Sequence, residues 1–510
     1  MHTRFSRIVC CAAVLPAAAC IGERGPFINR MAQTGTSYLA RAARQPVRWQ
    51  PWGRDAFALA AKLDRPILLY IGSDACRWCA ETDRAIYTDP EIGALINSLF
   101  VPIRVDRDER PDVAQQYQAS VERLAGLRGW PITVFLTADG APFFGGTYFP
   151  ADDPITGRGL KQLLPEVAKI YRDRRPFIEQ QAASLRALEG TRVSRGVLRP
   201  ALVQQGVVAV ARELDEAVRT RAAAGSVMHA AAVSLLLSES ARSRDTALLV
   251  SALRALDLML DTTAGVAGED PSRLVRAAVV ASLATAWTVT GEERYREAGR
   301  RLAHRLATEL PPGGSVFVDQ EAYVIERLMV AAATLGEPMV ERRARAGLDV
   351  LLQHTYARGW GVRHAMAGMP AAGTTTPQGL LQDQVQVAAA CLAAHQLGKE
   401  PRYLDIALDL TAIVERGYAD PLGGYYDVAI LPSDAASALG DRTKHVLDDV
   451  LPGPNAVAAL LLAQLTQVTS DPSYRRRAQA ALDAFAGAMD GAGVRASTFL
   501  AAARQTLGKP

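Results

Sequence analysis

Cysteine and histidine are scarce in this chain of 510 residues, which has six of the first and seven of the second. Cys10, Cys11 and Cys20 fall at the very start, leaving Cys76, Cys79 and Cys391 for the folded body. That is too few for the disulfide framework of a secreted scaffold. The shortage of histidine argues against zinc: none lies near Cys76 or Cys79, and a site there would need two more ligands. An excess of either charge is also missing. There are 57 Lys and Arg against 53 Asp and Glu, a net of +4. The short basic runs "RDRR" (172–175) and "RRR" (475–477) read as solvated helix faces, so nucleic acid is not an expected partner. Beyond the N-terminus no segment reaches about 18 unbroken apolar residues, so no span of a bilayer is expected there.

What is present begins with an export pattern. "MHTRFSR" is basic, "IVCCAAVLPAAA" is a short apolar run, and Cys20 follows. This is the layout of a secretory signal over residues 1–20. Ala17, Ala18 and Ala19 before Cys20 resemble a bacterial lipoprotein cleavage site, although a larger aliphatic residue is usual where Ala17 stands. The expectation is an exported protein, periplasmic or held to a membrane only through a lipid on Cys20. The alternative is an uncleaved N-terminal anchor. With 49% hydrophobic and 22% charged residues the remainder has the balance of a folded protein, and its length implies two domains.

The two domains differ in pattern. Up to about residue 190, short β-branched runs alternate with helical ones. "ILLYIG" (67–72), "FVPIRVD" (100–106) and "ITVFLT" (132–137) read as strands, and "FFGGTYF" as a final hairpin strand. Helices are expected over 54–63, from 80–85 into 90–98, and over 112–124. Such alternation indicates an α/β layered sheet. "EGTRVSRGVLRP" reads as a linker. From residue 200 the chain is rich in Ala and Leu and repeats a turn followed by a helix, at Gly291, Gly336, Gly398 and Ser470. Each copy follows another helix, so helical hairpins recur, as in a solenoid or a closed ring of roughly ten to twelve helices.

Cys76 and Cys79 sit in "SDACRWCAETD", between a strand and a helix. There the first sulfur meets the helix N-terminus, whose free N–H groups and dipole stabilise thiolate. Arg77 adds positive charge and Trp78 an apolar body. The alternatives are a metal half-site and two small core residues. Cys391, in "VAAACLAAHQL", reads as a buried small hydrophobe. Pro131 after Trp130 fits the cis proline that faces a Cys-x-x-Cys across the sheet of a thioredoxin fold. Asp106 and Asp108 follow a strand and are candidates for proton transfer, or are loop carboxylates pairing with Arg107 or Arg110.

In the helical part, Asp319-Gln320 and Asp383-Gln384 precede apolar helices, and Asp448, Asp449 and Asn455 lie in a similar place. Asp there caps helix N-termini. In a closed ring, Asp319, Asp383 and Asp448 would also converge with Tyr323 on one mouth. His354, His364 and His395 lie at or after helix ends and form no evident pair.

Residues 36–150 resemble the thioredoxin-like domain of the spermatogenesis-associated protein 20 family. The resemblance rests on "TSYLARAARQPVRWQPWGRDAFALA", "DRPILLYIGSDACRWC", "FVPIRVDRDERPDV" and "GWPITVFLTADGAPFFGGTYFP". It implies a thioredoxin-like domain over 36–190 ahead of an α/α toroid over 200–506, similar to six-hairpin glycosidase-like rings. Members usually carry Cys-His-Trp-Cys-His; here Arg77 and Ala80 stand in the histidine places, so any role of those histidines is absent or changed.

Three functions are open to such a chain. The first is a thiol–disulfide oxidoreductase needing no cofactor, in which Cys76 attacks, Cys79 resolves, and Trp130 and Pro131 shape the docking groove for protein thiols or a redox partner. The second is a carbohydrate-active or carbohydrate-binding toroid using Asp319, Asp383 and Asp448. The third is a binding protein holding a glycan, peptide or small polar ligand at the ring mouth.

Overall fold

The computed structural model describes residues 27–153, 155–156, 159–189, 194–220, 227–263, 272–310, 316–366, 379–429 and 443–508. The signal at residues 1–20, with Cys20, lies outside the described residues.

The central strand of the first domain is β2 (Ile67–Gly72), buried along its whole length, as its unbroken apolar run requires of a strand covered on both faces. It lies between β3 (Val101–Asp106), which is parallel to it, and β4 (Ile132–Leu136), which is antiparallel. The short β1 (Gln50–Pro51) flanks β3 and β5 (Pro142–Gly146) flanks β4, giving the order β1-β3-β2-β4-β5. Helix α1 (Ser37–Arg41) precedes β1, and α2 (Arg54–Leu63), α3 (Arg77–Thr82), α4 (Pro90–Leu99) and α5 (Pro111–Ala125) connect the strands. α4 starts where Asp89 caps it and Pro90 fits its first turn. α3 continues as a single π turn over Asp83–Tyr87. Helices α6 (Leu160–Asp173) and α7 (Arg175–Glu189) complete the domain.

The second domain has twelve helices among the described residues, in register with the repeats. They are α8 (Pro200–Arg219), α9 (Val227–Ser243), α10 (Thr246–Thr263), α11 (Arg273–Thr290), α12 (Glu293–Thr308) and α13 (Val318–Leu335), then α14 (Pro338–Thr355), α15 (Leu381–Gly398), α16 (Pro401–Gly417), α17 (Pro454–Thr469), α18 (Pro472–Asp483) and α19 (Ser497–Leu507). The odd-numbered helices pack in sequence, and α19 packs back on α9, so six inner helices form a closed ring. The even-numbered helices lie outside, each paired with an inner one, and α8 pairs with α19. Composition follows position. α15 buries residues all round, whereas α12 buries one stripe and turns its arginines outward. The turns between α11 and α12, α13 and α14, α15 and α16, and α17 and α18 each place one residue in the left-handed region: Gly291, Gly336, Lys399 and Ser470. The linker lies on the ring, where Gly196 N–H donates to the Asp483 carbonyl and Leu198 N–H to its carboxylate.

Candidate functional site

The sequence Ser73–Asp83 brings its two cysteines to the N-terminus of α3. Cys76 is the cap residue, and its Sγ accepts the Cys79 N–H at 3.1 Å. The two sulfurs form a disulfide. Cys79 is fully buried and Cys76 nearly so, while Trp78 is 60% exposed and has Tyr148 at 6.3 Å. Gly72 ends β2 directly behind the pair. A Cβ there would collide with the Tyr38 hydroxyl and come within 2.9 Å of Cys79 Sγ, so only glycine fits. The Trp130–Pro131 peptide is cis, and the register Ile71↔Ile132 puts Pro131 across the sheet from Gly72.

Behind the disulfide lies a buried charge. Arg104, on β3, has its guanidinium on the Tyr38 and Tyr70 rings, at 4.2 and 5.0 Å, and forms two 2.6 Å bonds to Asp83.

β3 ends at Asp106, and the loop after it touches both domains. Arg107 N–H donates to the Gly72 carbonyl at 2.7 Å, and Asp106 Oδ1 accepts the Asp108 N–H at 2.9 Å. Burial, with Asp108 adding to it, pushes the Asp106 carboxyl up to about 7. Asp106 can therefore hold a proton near neutrality. Asp108 instead pairs with Arg107 at 2.9 Å, and Arg110 forms two bonds to Asp112. The Asp108 carbonyl points at the toroid and accepts a hydrogen bond from His364 Nε2 at 2.9 Å.

In the sequence His364, like His354 and His395, shows no evident pair. The structure corrects that. It follows the hairpin of β6 (Tyr356–Ala357) and β7 (Gly361–Val362), stacks on Phe317, and donates through Nδ1 to Asp383 at 2.9 Å. Both ring nitrogens face acceptors, a carboxylate and a carbonyl, so both carry protons and the ring is an imidazolium. Burial opposes that charge, but Asp383, aided by Asp319 and the Asp108 carbonyl, outweighs it and pushes the pKa up to about 10. Asp383 also accepts the Leu380 N–H at 2.7 Å and the Asp319 N–H at 3.1 Å. Asp319 is held up to about 7 by burial; the His364 charge opposes the shift and Asp383 adds to it.

Asp319, His364 and Asp383 offer ligand atoms within 4.8 Å of one another, a spacing that a metal ion could use. The His364 and Asp383 atoms already have hydrogen-bond partners, so an ion would have to displace them.

The four acidic candidates of the helical domain thus divide. Asp319 and Asp383 meet at His364. Asp448 lies apart, held up to about 6 by burial, and accepts the Gly453 and Thr498 N–H groups at 3.0 and 2.9 Å, the second within the first turn of α19. Tyr323 lines an inner cavity with Arg327, Pro452 and Thr498. Gln384 clasps Val362 through both its amide atoms, and Asn455 clasps Tyr425 in the same way. Gln320 and Asp449 face the seam between the domains. A second His–Asp pair, His445 Nδ1 with Asp427 at 2.5 Å, also opens there.

That seam holds a cleft of about 460 Å³. Ala75, next to Cys76, lies at one edge with Arg107, Asp108 and Trp130; Ser272–Val275, Gln320, Asp449 and Val450 of the toroid form the other wall. A narrow branch sharing Trp130, Gln320 and Asp449 runs on to His445.

Residues 28–189 match the model of a family described as "Protein of unknown function, DUF255", labelled thioredoxin-like. Spermatogenesis-associated protein 20 of Rattus norvegicus is 41% identical over 139 residues, 27% of this chain and 18% of that protein. The Homo sapiens protein is 39% identical over 144 residues, 28% and 18%. The matches thus span less than a fifth of the length of these curated relatives. Among solved structures, an unsaturated glucuronyl hydrolase specific for heparin has a TM-score of 0.42 at 14% identity, covering 56% of this chain and 85% of that one. A glycoside hydrolase family 76 mannosidase of Bacteroides thetaiotaomicron has 0.32 at 17%, covering 40% and 56%. The N-terminal domain is thus similar to a stretch of spermatogenesis-associated protein 20 and matches a thioredoxin-like family model, and an α/α toroid follows it in this chain.

Proposed function

We propose that the protein is a thiol–disulfide oxidoreductase acting outside the cytoplasm. One observation carries this reading: a Cys76–Cys79 disulfide at a helix N-terminus, across the sheet from cis-Pro131, with Ala75 beside it lining a cleft. Cys76 is the attacking thiol and Cys79 the resolving one, since the cap position favours thiolate and Cys79 is the deeper of the two. Asp106, buried and able to hold a proton near neutrality, is the nearest carboxyl on β3 to the end of β2. The location follows from the N-terminal signal pattern and from the persistence of disulfides in oxidising compartments. The carbohydrate reading draws less support, because Asp383 and Asp448 already hold backbone N–H groups.

The test is a glutathione-buffered redox titration of the full chain, with Cys76→Ser as control. A reversible two-electron transition between about −120 and −270 mV supports the reading. A disulfide that never forms, or never opens under reducing buffer, rules it out.

A further inference from the structure

Trp130 and Pro131 form the edge on which a free-standing thioredoxin-like domain would receive an extended partner. Here the toroid stands against that edge. Trp130 is only partly exposed, and the cleft beside it is lined on its far side by Ser272, Gln320, Asp449 and Val450. What remains is a half-open cleft of about 460 Å³, the size of a small-molecule site. The charges on its walls are mostly engaged. Arg107 pairs with Asp108, and Arg273 with Glu321 at 2.9 Å. Asp449 makes no ion pair among the described residues, although Arg107 and Arg495 lie close enough to feel its charge. Gln320 is the neutral polar group beside it.

We infer that the substrate of the Cys76–Cys79 pair is a low-molecular-weight disulfide, or the matching thiol, bound in the cleft between the domains, and that Asp449 makes the cleft prefer molecules bearing an amine over molecules bearing carboxylates. This rests on the redox reading and narrows it. In the oxidative half-reaction the Cys76 thiolate attacks one sulfur of R–S–S–R and expels one RS⁻, which is protonated to RSH. The Cys79 thiolate, formed by loss of its proton, then attacks Cys76 Sγ, closing the protein disulfide and releasing the second RS⁻. The dithiol gives up two electrons and two protons, and the small disulfide becomes two RSH. Asp449 is a positioning residue: it draws the substrate into place and touches neither sulfur.

The full chain, reduced and desalted, is mixed with cystamine, hydroxyethyl disulfide, oxidised glutathione or insulin. Closure of the Cys76–Cys79 disulfide is followed by rapid acid quench, alkylation and mass spectrometry. Rates are divided by those of the same probes with dithiothreitol, which removes their intrinsic reactivity. Cystamine is expected to exceed oxidised glutathione by about tenfold, with hydroxyethyl disulfide between them and insulin slowest. Asp449→Asn should shrink the cystamine advantage to about twofold, and Gln320→Lys should turn it towards glutathione, with melting temperatures unchanged in both variants. Insulin reacting as fast as cystamine, or a cystamine advantage that survives both variants, overturns the inference while leaving the redox reading intact. A reduced pair that none of the four probes oxidises overturns both.

Discussion

Arg104 and His364 are two buried cations in very different settings. Arg104 belongs to one domain: its carboxylate partner, Asp83, and its aromatic neighbours all come from residues 38–87. His364 belongs to two: one nitrogen serves the toroid's own Asp383, the other reaches a carbonyl of the thioredoxin-like domain. The first cation fixes how one core is assembled. The second fixes how two finished cores meet, and it does so through a loop that also bonds to Gly72, the residue packed against Cys79. A single run of hydrogen bonds, Gly72–Arg107, Asp106–Asp108 and Asp108–His364–Asp383, therefore joins the back of the disulfide to the mouth of the ring.

The sharpest way to break this comparison is Arg104→Met. It leaves Asp83 without its cation inside the aromatic cluster, with only the Gln45 amide still donating to it. A loss of about 3 kcal/mol is expected, at the low end for a broken buried pair because Asp83 is partly exposed. Urea unfolding measures it, and the added change Asp83→Leu should recover much of the loss. A loss under about 1 kcal/mol would mean that the aromatic shell alone holds the core.

His364→Gln should cost less, about 2 kcal/mol at pH 7, since one amide cannot donate to both partners. Its pH dependence sets it apart from Arg104. The folded-state pKa is raised, to about 10, so the contribution is complete below the unfolded value of about 6.5 and is lost as pH rises towards 10. The difference in urea midpoint between wild type and His364→Gln should therefore narrow from pH 7 to 10.5, with faster tryptic cleavage after Arg107 in the wild type. A constant difference across that range would show that the ring acts by packing alone.

The smallest effect comes from the outer turns. Ser470 occupies a left-handed position that glycine fills at Gly291 and Gly336. Ser470→Gly should stabilise the toroid by up to about 1 kcal/mol, read as a higher melting temperature, with no change at the seam. A lower melting temperature would indicate that the serine side chain does more than tolerate its turn.

The legible parts of this fold were those written locally. The run 67–72, the helix 54–63 and the recurring turns near Gly291, Gly336, Gly398 and Ser470 were all placed within a residue or two, because a strand buried on both faces and an Ala/Leu helix leave period and composition in the sequence. One turn is displaced by a residue: the left-handed position is Lys399 rather than Gly398. Pro131 was legible because its place in the order of elements marks it. Asp383 was half legible: it does bond its own helix start, as a capping aspartate would, and it also holds a histidine that the capping pattern does not announce. His364 was not legible at all. Its charge depends on Asp108, 256 residues earlier in the other domain, and no local pattern records that meeting. Asp448, expected at a shared mouth, caps α19 instead, which only the closure of the ring makes possible.

That closure has a consequence for how the protein is made. The hairpin that completes the ring joins α8, the first helix of the domain, to α19, the last. During synthesis, about 280 residues must leave the ribosome after α8 before it meets α19. Until then the nascent domain is an open arc with apolar faces at both ends, the kind of intermediate that chaperones hold and proteases sample. The thioredoxin-like domain, complete by residue 189, has no such wait. Its disulfide can form before the wall of its cleft is in place, and the cleft takes shape only when Asp449 and Val450 come up against it.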